Sequence, residues 1–268
     1  DGLWHSTLTV GGHVGTPNWY MGAVPLALHP GPSNLQCLVV GLGTGITAAT
    51  LSSSSAVGHV DAYDINYKLL QVFQDYPLET RNCLSDSKIR LIWQDARSGL
   101  ALGDQQYDII TQAPLWLSQA GSSILLSREY MQLVAAHLKP GGLFVVYTNG
   151  KGNLNQPLLI RQTVRSVFAH TVSINQGYML VASQSPIDIQ PNRFRQLEES
   201  TDEFGADLRN YRQRNSQGLV QTVDANGAIP WSGLVQSFPW PSESLWVTDD
   251  RPLVEYPGIL PYVAAGTR

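Results

Sequence analysis

Apolar runs alternate with amphipathic segments between residues 35 and 185, and this alternation predicts strands and helices in turn. The first run, LQCLVVGL, is continuous and apolar, which is typical of a strand buried on both faces. Four more predicted strands follow: GHVDAYDI, KIRLIWQDA, YDIITQA and GGLFVVYTN. Helices fit between them at TAATLSSSS, YKLLQVFQDY and SREYMQLVAAHL, and the pair TVSINQ and GYMLVASQ predicts a closing hairpin. We therefore predict an α/β fold with a doubly wound, mostly parallel sheet of seven strands.

The segments on either side of this core have a different character. Residues 1–34 contain short apolar stretches separated by Gly and Pro, as in STLTVGGHVGTPNWY, and we predict a small N-terminal β appendage there. From residue 186 the chain becomes polar, in RQLEESTDEFGADLRNYRQRNSQ, which predicts a helical excursion. A tail rich in Pro and Trp follows and must fold back on the core. The predicted units are therefore 1–34, 35–185 and 186–268.

Composition and charge exclude several classes of protein. The net charge of −4 argues against a nucleic-acid-binding protein, which requires a basic face. No stretch reaches the roughly 18 to 20 continuous apolar residues of a membrane span, and no secretory leader is evident. We expect a soluble domain, either free in the cytoplasm or tethered to a membrane in a longer protein. The histidine spacing predicts no metal site, and we expect Cys37 and Cys83 to be free thiols.

The sequence GLGTG, at Gly41, Gly43 and Gly45, follows the first predicted strand directly. Glycines at such a turn let a nucleotide approach the backbone closely. The fingerprint of dinucleotide-binding proteins places a third glycine where this chain has Ile46, so the turn fits NAD poorly. No Lys followed by Ser or Thr comes after it, which excludes a phosphate-cradling P-loop.

Two acids at the ends of the second and third strands favour a different ligand, an adenosine that carries a sulfonium. Asp64 can accept hydrogen bonds from both ribose hydroxyls, as the acid after strand two does in doubly wound nucleotide-binding folds. Asp95, followed by Ala96, would reach the adenine amino group. Two alternatives stay open. The glycines can form a simple tight turn, and either acid can be a helix cap.

With these features the chain resembles the class I S-adenosylmethionine-dependent transferases, including the LKPGG that commonly precedes their fifth strand. More narrowly, NWYMGAVPLALHPGP leads into the glycine turn as the substrate-side tyrosine, here Tyr20, does in the spermidine-synthase-like branch. LLSREYMQLVAAHLKPGG and the tail VTDDRPLVEYP are similar to other segments of that branch, including domains fused behind membrane spans. The resemblance implies a Rossmann-like methyltransferase sheet. It also implies that S-adenosylmethionine or its decarboxylated form is a substrate and that methylthioadenosine is released.

The chain departs from this family at positions that carry charge. A diamine with a pKa of about 10 needs a carboxylate to deprotonate it, and in spermidine synthases that acid ends strand four. Gln112 stands at this position, and a neutral amide cannot act as a general base. Thr44 replaces the Asp that pairs with the ammonium of decarboxylated S-adenosylmethionine in the family. The residues after Tyr20 are altered as well, to Met21 and Gly22.

Two acids in the tail, Asp249 and Asp250, are the predicted replacements for the missing base. The alternative is that both belong to a turn with Arg251 and pair with a surface arginine. Three functions therefore stay open. The first is transfer of an aminopropyl or related alkyl group to an amine such as a diamine, the second is methyl transfer, and the third is a non-catalytic domain that senses a nucleoside or polyamine. The resemblance also implies a homodimer.

Overall fold

The computed structural model describes residues 10–31, 33–112, 121–148, 155–174, 179–190, 193–218, 247 and 249. The strands are β1 Leu35–Val40, β2 Val57–Asp64, β3 Ile89–Trp93, β4 Tyr107–Gln112, β5 Leu138–Tyr147, β6 His170–Ile174 and β7 Met179–Ser183. The helices are α1 Pro17–Leu28, α2 Ile46–Ser52, α3 Leu69–Asp75, α4 Ala96–Leu102, α5 Arg128–Ala136, α6 Asn155–Arg165, α7 Arg193–Glu198 and α8 Glu203–Gly218. A short 3₁₀ helix, Ser122–Leu125, precedes α5.

The strands form one seven-stranded sheet in the order β3-β2-β1-β4-β5-β7-β6. β1 to β5 are parallel, and β7 pairs antiparallel with both β5 and β6. This confirms the predicted fold class and the closing hairpin. The order of the strands reverses between β1 and β4, and in open α/β sheets ligands bind beyond the carboxyl ends of the strands at such a point.

Helices cover both faces of the sheet, as a doubly wound fold requires. Leu38 and Val40 of β1 point to a core cluster that includes residues of α4, α5 and α6. Cys37 and Val39 point to the other cluster, which includes residues of α1, α2 and α8. Both cysteines are free and buried. β1 is therefore buried on both sides, which explains its continuous apolar sequence.

The prediction of an N-terminal β appendage is wrong for the described part of residues 1–34. Residues 17–28 form α1, and the predicted residues 1–9 lie outside the described residues. The helix begins as helices commonly do, because Pro17 occupies its first turn and Thr16 Oγ1 accepts a hydrogen bond from Trp19 N at 3.3 Å. Nine of its twelve residues are buried, so no polar face marked it as helical in the sequence.

The predicted helical excursion after residue 186 is present as α7 and α8. α8 packs against α1, where Phe204 and Leu208 are buried and Tyr211 stacks on Trp19 with ring centroids 5.2 Å apart. Further along, Val247 is fully buried in the cluster on the α5 and α6 side, and its N–H donates to Thr163 Oγ1 at 2.8 Å. The tail therefore returns to the core at this residue. Among the described helices, none combines the length and the apolar character needed to cross a bilayer.

Candidate functional site

The glycine turn lies at the carboxyl end of β1, next to the point where the strand order reverses. Gly41, Gly43 and Gly45 have φ angles of 85°, 54° and 78°, in the left-handed region that favours glycine. Space is also restricted behind the turn. A Cβ at Gly45 would lie 2.7 Å from Phe73 Cε1 and 3.2 Å from Cys83 Sγ. This conformation therefore requires glycine at position 45 for two independent reasons.

Asp64 ends β2 beside this turn and holds it in shape. Its Oδ2 accepts hydrogen bonds from Leu42 N at 2.9 Å and from Gly43 N at 3.4 Å, and its Oδ1 accepts one from Asn66 N at 2.8 Å. Each carboxylate oxygen can accept more than one hydrogen bond, and the side chain is only half-buried. Asp64 therefore links the turn to β2 and keeps capacity for ribose hydroxyls, its predicted role.

Asp95 follows β3, whose last residue, Trp93, is paired with Asp64 across the sheet. The Oδ1 atom of Asp95 accepts a hydrogen bond from Ser98 N at 2.7 Å, so Asp95 is the N-cap of α4 and Ala96 is the first, buried residue of that helix. Asp95 therefore caps a helix, as the second of the two open alternatives for the acids holds. The Oδ2 atom accepts no hydrogen bond within the described part of the chain. The adenine-binding role of Asp95 and Ala96 stays a prediction that depends on this second oxygen.

Gln112 ends β4 and is fully buried. It is paired with Val40, the residue before the glycine turn, and with Val146 of β5. Its Nε2 donates a hydrogen bond to Leu125 O at 2.8 Å, which fixes the orientation of the amide. Its Oε1 is buried without a hydrogen-bond partner in the described structure. At the end of β4, where the resemblance implies a base, there is thus a neutral acceptor atom held in one orientation.

Two further side chains near this edge carry a buried oxygen without a partner among the described residues. Thr44, within the glycine turn, is 8% exposed, and its Oγ1 makes no hydrogen bond to any described residue. Tyr130 of α5 is fully buried, and its hydroxyl also lacks a hydrogen-bond partner among the described residues. Burial and the negative charge of Asp95 raise the pKa of Tyr130, so the phenol stays protonated. Tyr130 was missed by sequence reasoning, because an aromatic residue in an amphipathic helix is usually part of the core.

Asp249 contacts the first turns of α4 and α5. Its two oxygens accept hydrogen bonds from Arg97 Nη1 and Nη2 at 2.7 and 2.5 Å, and its N–H donates to Glu129 Oε2 at 3.0 Å. The guanidinium of Arg97 holds the pKa of Asp249 below its ordinary value. Asp249 as a replacement base stays a prediction, one that Arg97 weakens by neutralising its charge. Asp250 lies outside the described residues.

Tyr20 lies on α1, and its hydroxyl donates to the hydroxyl of Tyr211 on α8 at 2.8 Å. Burial, followed by the proximity of Tyr211, raises the pKa of Tyr20 well above its usual range. The resemblance implies a substrate-side role for Tyr20, and that role stays a prediction. The contact with Tyr211 could not be predicted from the sequence, because it depends on how α8 packs against α1. Among the described residues there is no cluster of His, Cys, Asp or Glu side chains that could hold a metal.

Comparison with known proteins adds an independent observation. The model of the spermine/spermidine synthase domain matches residues 18–182, which is more than half of the chain. A probable polyamine aminopropyl transferase of Bifidobacterium longum is 28% identical over 144 residues, covering 50% of this chain and 29% of that protein. A polyamine aminopropyltransferase of Clostridium perfringens is 29% identical over 122 residues, covering 46% of this chain and 42% of that protein. The matched part is thus less than half of either relative.

Solved structures agree with the fold. The spermidine synthase of Thermotoga maritima superposes with a TM-score of 0.57 at 19% identity, covering 66% of this chain and 64% of that one. A spermidine synthase in complex with the transition state analogue AdoDATO gives a TM-score of 0.56 at 19% identity, covering 66% of this chain and 63% of that one. At this level of identity the likeness concerns the sheet and its helices.

Proposed function

Because the chain belongs to the spermine/spermidine synthase family, we propose that it binds decarboxylated S-adenosylmethionine and transfers its aminopropyl group to an amine. The observation that carries the proposal is the glycine turn of β1, held by Asp64 beside the reversal of strand order. A bound adenosine would meet the backbone of this turn, the carboxylate of Asp64 and the second oxygen of Asp95.

The chemistry needs little from the protein beyond position and a path for one proton. The amine nitrogen attacks the carbon next to the sulfonium, the carbon–sulfur bond breaks, and methylthioadenosine leaves with the bonding electrons. Holding the two reactants in line supplies much of the rate enhancement in such displacements. Gln112 can hold an N–H through Oε1, but it cannot remove a proton. We therefore expect a transferase whose rate at neutral pH is limited by the protonation state of its acceptor.

Methyl transfer from S-adenosylmethionine is the second candidate, and Thr44 is the observation that favours it. The hydroxyl of Thr44 is neutral and without a partner among the described residues, so it can donate to the carboxylate that only the undecarboxylated nucleoside carries. A carboxylate in the family position of Thr44 would repel that group. The two candidates thus differ in the charge of the ligand beside a single side chain.

Parallel calorimetry with S-adenosylmethionine, its decarboxylated form and methylthioadenosine tests the proposal. We expect all three to bind, with preference for the decarboxylated cation if aminopropyl transfer is the activity and for the amino acid form if methyl transfer is. Release of methylthioadenosine or of S-adenosylhomocysteine then identifies the reaction. Binding without release of either product would favour the sensing domain, and the absence of binding would contradict the site. The cytoplasmic location and the homodimer stay predictions.

A further inference from the structure

The inference concerns Tyr211 of α8, and it rests on the proposed aminopropyl transfer. The family model matches residues 18–182, so α8 lies beyond the matched part of the chain. Tyr211 nevertheless contacts Tyr20, for which the resemblance implies a substrate-side role. The hydroxyl of Tyr20 donates to that of Tyr211 at 2.8 Å, and the two rings meet edge to face with centroids 5.8 Å apart. A residue outside the family domain is therefore bonded directly to a residue inside it.

The start of α1, which carries Tyr20, lies at the carboxyl edge of the sheet. Thr111 of β4 donates a hydrogen bond from Oγ1 to Met21 O at 3.1 Å. Thr47, in the first turn of α2 after the glycine turn, donates from Oγ1 to Asn18 O at 2.9 Å. Tyr20 lies between these two contacts along the helix and is partly exposed. It is therefore held next to the ends of β1 and β4, where the strand order reverses.

Contacts that do not involve Tyr211 hold α8 against the core. Phe204 and Leu208 of this helix are fully buried. One turn before Tyr211, Asp207 Oδ2 forms an ion pair with Arg81 Nη1 at 3.0 Å, and both side chains are at most 10% exposed. Removal of the Tyr211 hydroxyl alone should therefore leave the helix in place.

The direction of the hydrogen bond between the two tyrosines determines what Tyr20 can offer a ligand. A phenol has one hydrogen to donate and lone pairs that accept. Because Tyr20 gives its hydrogen to Tyr211, its oxygen can only accept a hydrogen bond from a further partner. Burial, followed by the proximity of Tyr211, raises the pKa of Tyr20, so the hydrogen stays in place at neutral pH. An amine with a pKa of about 10 is then an ammonium, which offers only N–H donors.

We propose that Tyr211 is a positioning residue for the acceptor: it holds the hydroxyl hydrogen of Tyr20, so that the oxygen of Tyr20 accepts an N–H of a polyamine ammonium. Without the hydroxyl of Tyr211, the hydrogen of Tyr20 can turn towards the ammonium, and two donors then face each other. The role needs no charge on either tyrosine. In this arrangement α8 contributes to the acceptor site from outside the family domain.

The test measures methylthioadenosine release from decarboxylated S-adenosylmethionine and putrescine by the full 268-residue chain and by its Tyr211→Phe variant. We expect the KM for putrescine to rise about tenfold in the variant, as for the loss of one hydrogen bond. The kcat and the KM for the nucleoside should stay unchanged, because Tyr211 acts only on the binding of the acceptor. Tyr76→Phe is the matched control, since it removes the hydroxyl of a half-exposed tyrosine of another segment and should leave all three constants unchanged.

The double variant Tyr20→Phe/Tyr211→Phe shows whether Tyr211 acts through Tyr20. Tyr20→Phe removes the accepting oxygen itself, so the KM for putrescine should be no higher in the double variant than in Tyr20→Phe alone. Effects that multiply would mean that the two hydroxyls act independently, and they would overturn the positioning role. Urea denaturation of each variant separates this role from a purely structural one, which would lower the free energy of unfolding and leave the KM for putrescine unchanged.

The outcomes distinguish this inference from the proposed function. If the unmodified chain releases no methylthioadenosine with any amine, the proposed function fails and the positioning role fails with it. If the unmodified chain is active and Tyr211→Phe keeps its KM for putrescine, only the positioning role is overturned. A rise in the KM for the nucleoside that equals the rise for putrescine would also overturn it, because the variant would then disturb the whole site.

Discussion

The carboxyl edge of the sheet has two halves whose polar groups are satisfied in different ways. On the β1 to β3 side, Asp64 accepts hydrogen bonds from backbone N–H groups of the turn after β1, and Asp95 accepts one from Ser98 N in the first turn of α4. On the β4 side, Gln112 leaves one amide oxygen unsatisfied among the described residues. The β1 to β3 half is thus preorganised by its own hydrogen bonds, whereas the β4 half carries an acceptor atom that can take a hydrogen bond from a ligand. Nucleoside binding and acceptor choice should therefore respond to different substitutions.

The largest expected effect comes from changing one residue in each half, Gln112 at the end of β4 and Thr44 in the glycine turn after β1. Gln112→Asp combined with Thr44→Asp restores both acids of the family pattern and should raise transfer to putrescine at pH 7. A positioned general base contributes on the order of 10² to 10⁴ in rate, which is the upper limit of the gain. The measurement is initial release of methylthioadenosine, with the single variants as controls. No gain in a folded double variant would count against aminopropyl transfer and favour a sensing domain.

On the β1 side, Gly45→Ala should cost about 3 kcal/mol of the free energy of unfolding, because a left-handed φ and a Cβ 2.7 Å from Phe73 act together. Gly141→Ala is a matched control. Its φ is 79°, against 78° for Gly45, but nothing lies within 4 Å of its Cβ. The control should cost only about 1 to 2 kcal/mol. Urea denaturation of both variants measures the difference, and equal losses would contradict the packing argument.

Asp64→Ala sharpens the comparison at the level of binding. Loss of hydrogen bonds to a charged acceptor should weaken the binding of methylthioadenosine by about 1.5 to 3 kcal/mol per bond. Gln112→Asn is the contrasting variant, since it alters the other half of the edge and should leave this affinity unchanged. Calorimetry measures both. An unaltered affinity in Asp64→Ala would mean that the nucleoside site is assigned to the wrong place.

The smallest expected effect is that of Asp249→Asn. Arg97 lowers the pKa of Asp249 below its ordinary 3.8, so the pair stabilises the fold fully above about pH 3.8 and loses this contribution as the pH falls further. Both side chains are partly exposed, and screening by solvent limits the effect to about 0.5 kcal/mol. Thermal unfolding at pH 7 and pH 3 should show the small difference between variant and parent only at pH 7. A loss of acceptor binding at pH 7 would instead assign Asp249 to the pocket.

The strands and the glycine turn were predictable because their signals are local. Buried parallel strands leave continuous apolar runs, and GLGTG is a short pattern with a geometric reason for each glycine. α1 was missed because its burial removed the polar face by which a helix is usually recognised. Arg97 and Leu125, the partners of Asp249 and Gln112, were missed for a different reason. Their roles arise when α4, α5 and the tail meet, and contacts between distant segments leave no periodicity in the sequence.

The Cys83 thiol, which packs behind the glycine turn, can be used to measure occupancy of the nucleoside site. Cys83 is buried, burial raises the pKa of its thiol to about 12, and its sulfur lies 3.2 Å from where a Cβ of residue 45 would be. A thiol reagent can modify it only during local opening, so the labelling rate counts those openings. In a Cys37→Ser background, with one thiol left, nucleoside that rests on the turn should slow the labelling. The rate at which the Cys83 thiol is labelled would then measure how much of the nucleoside site is occupied.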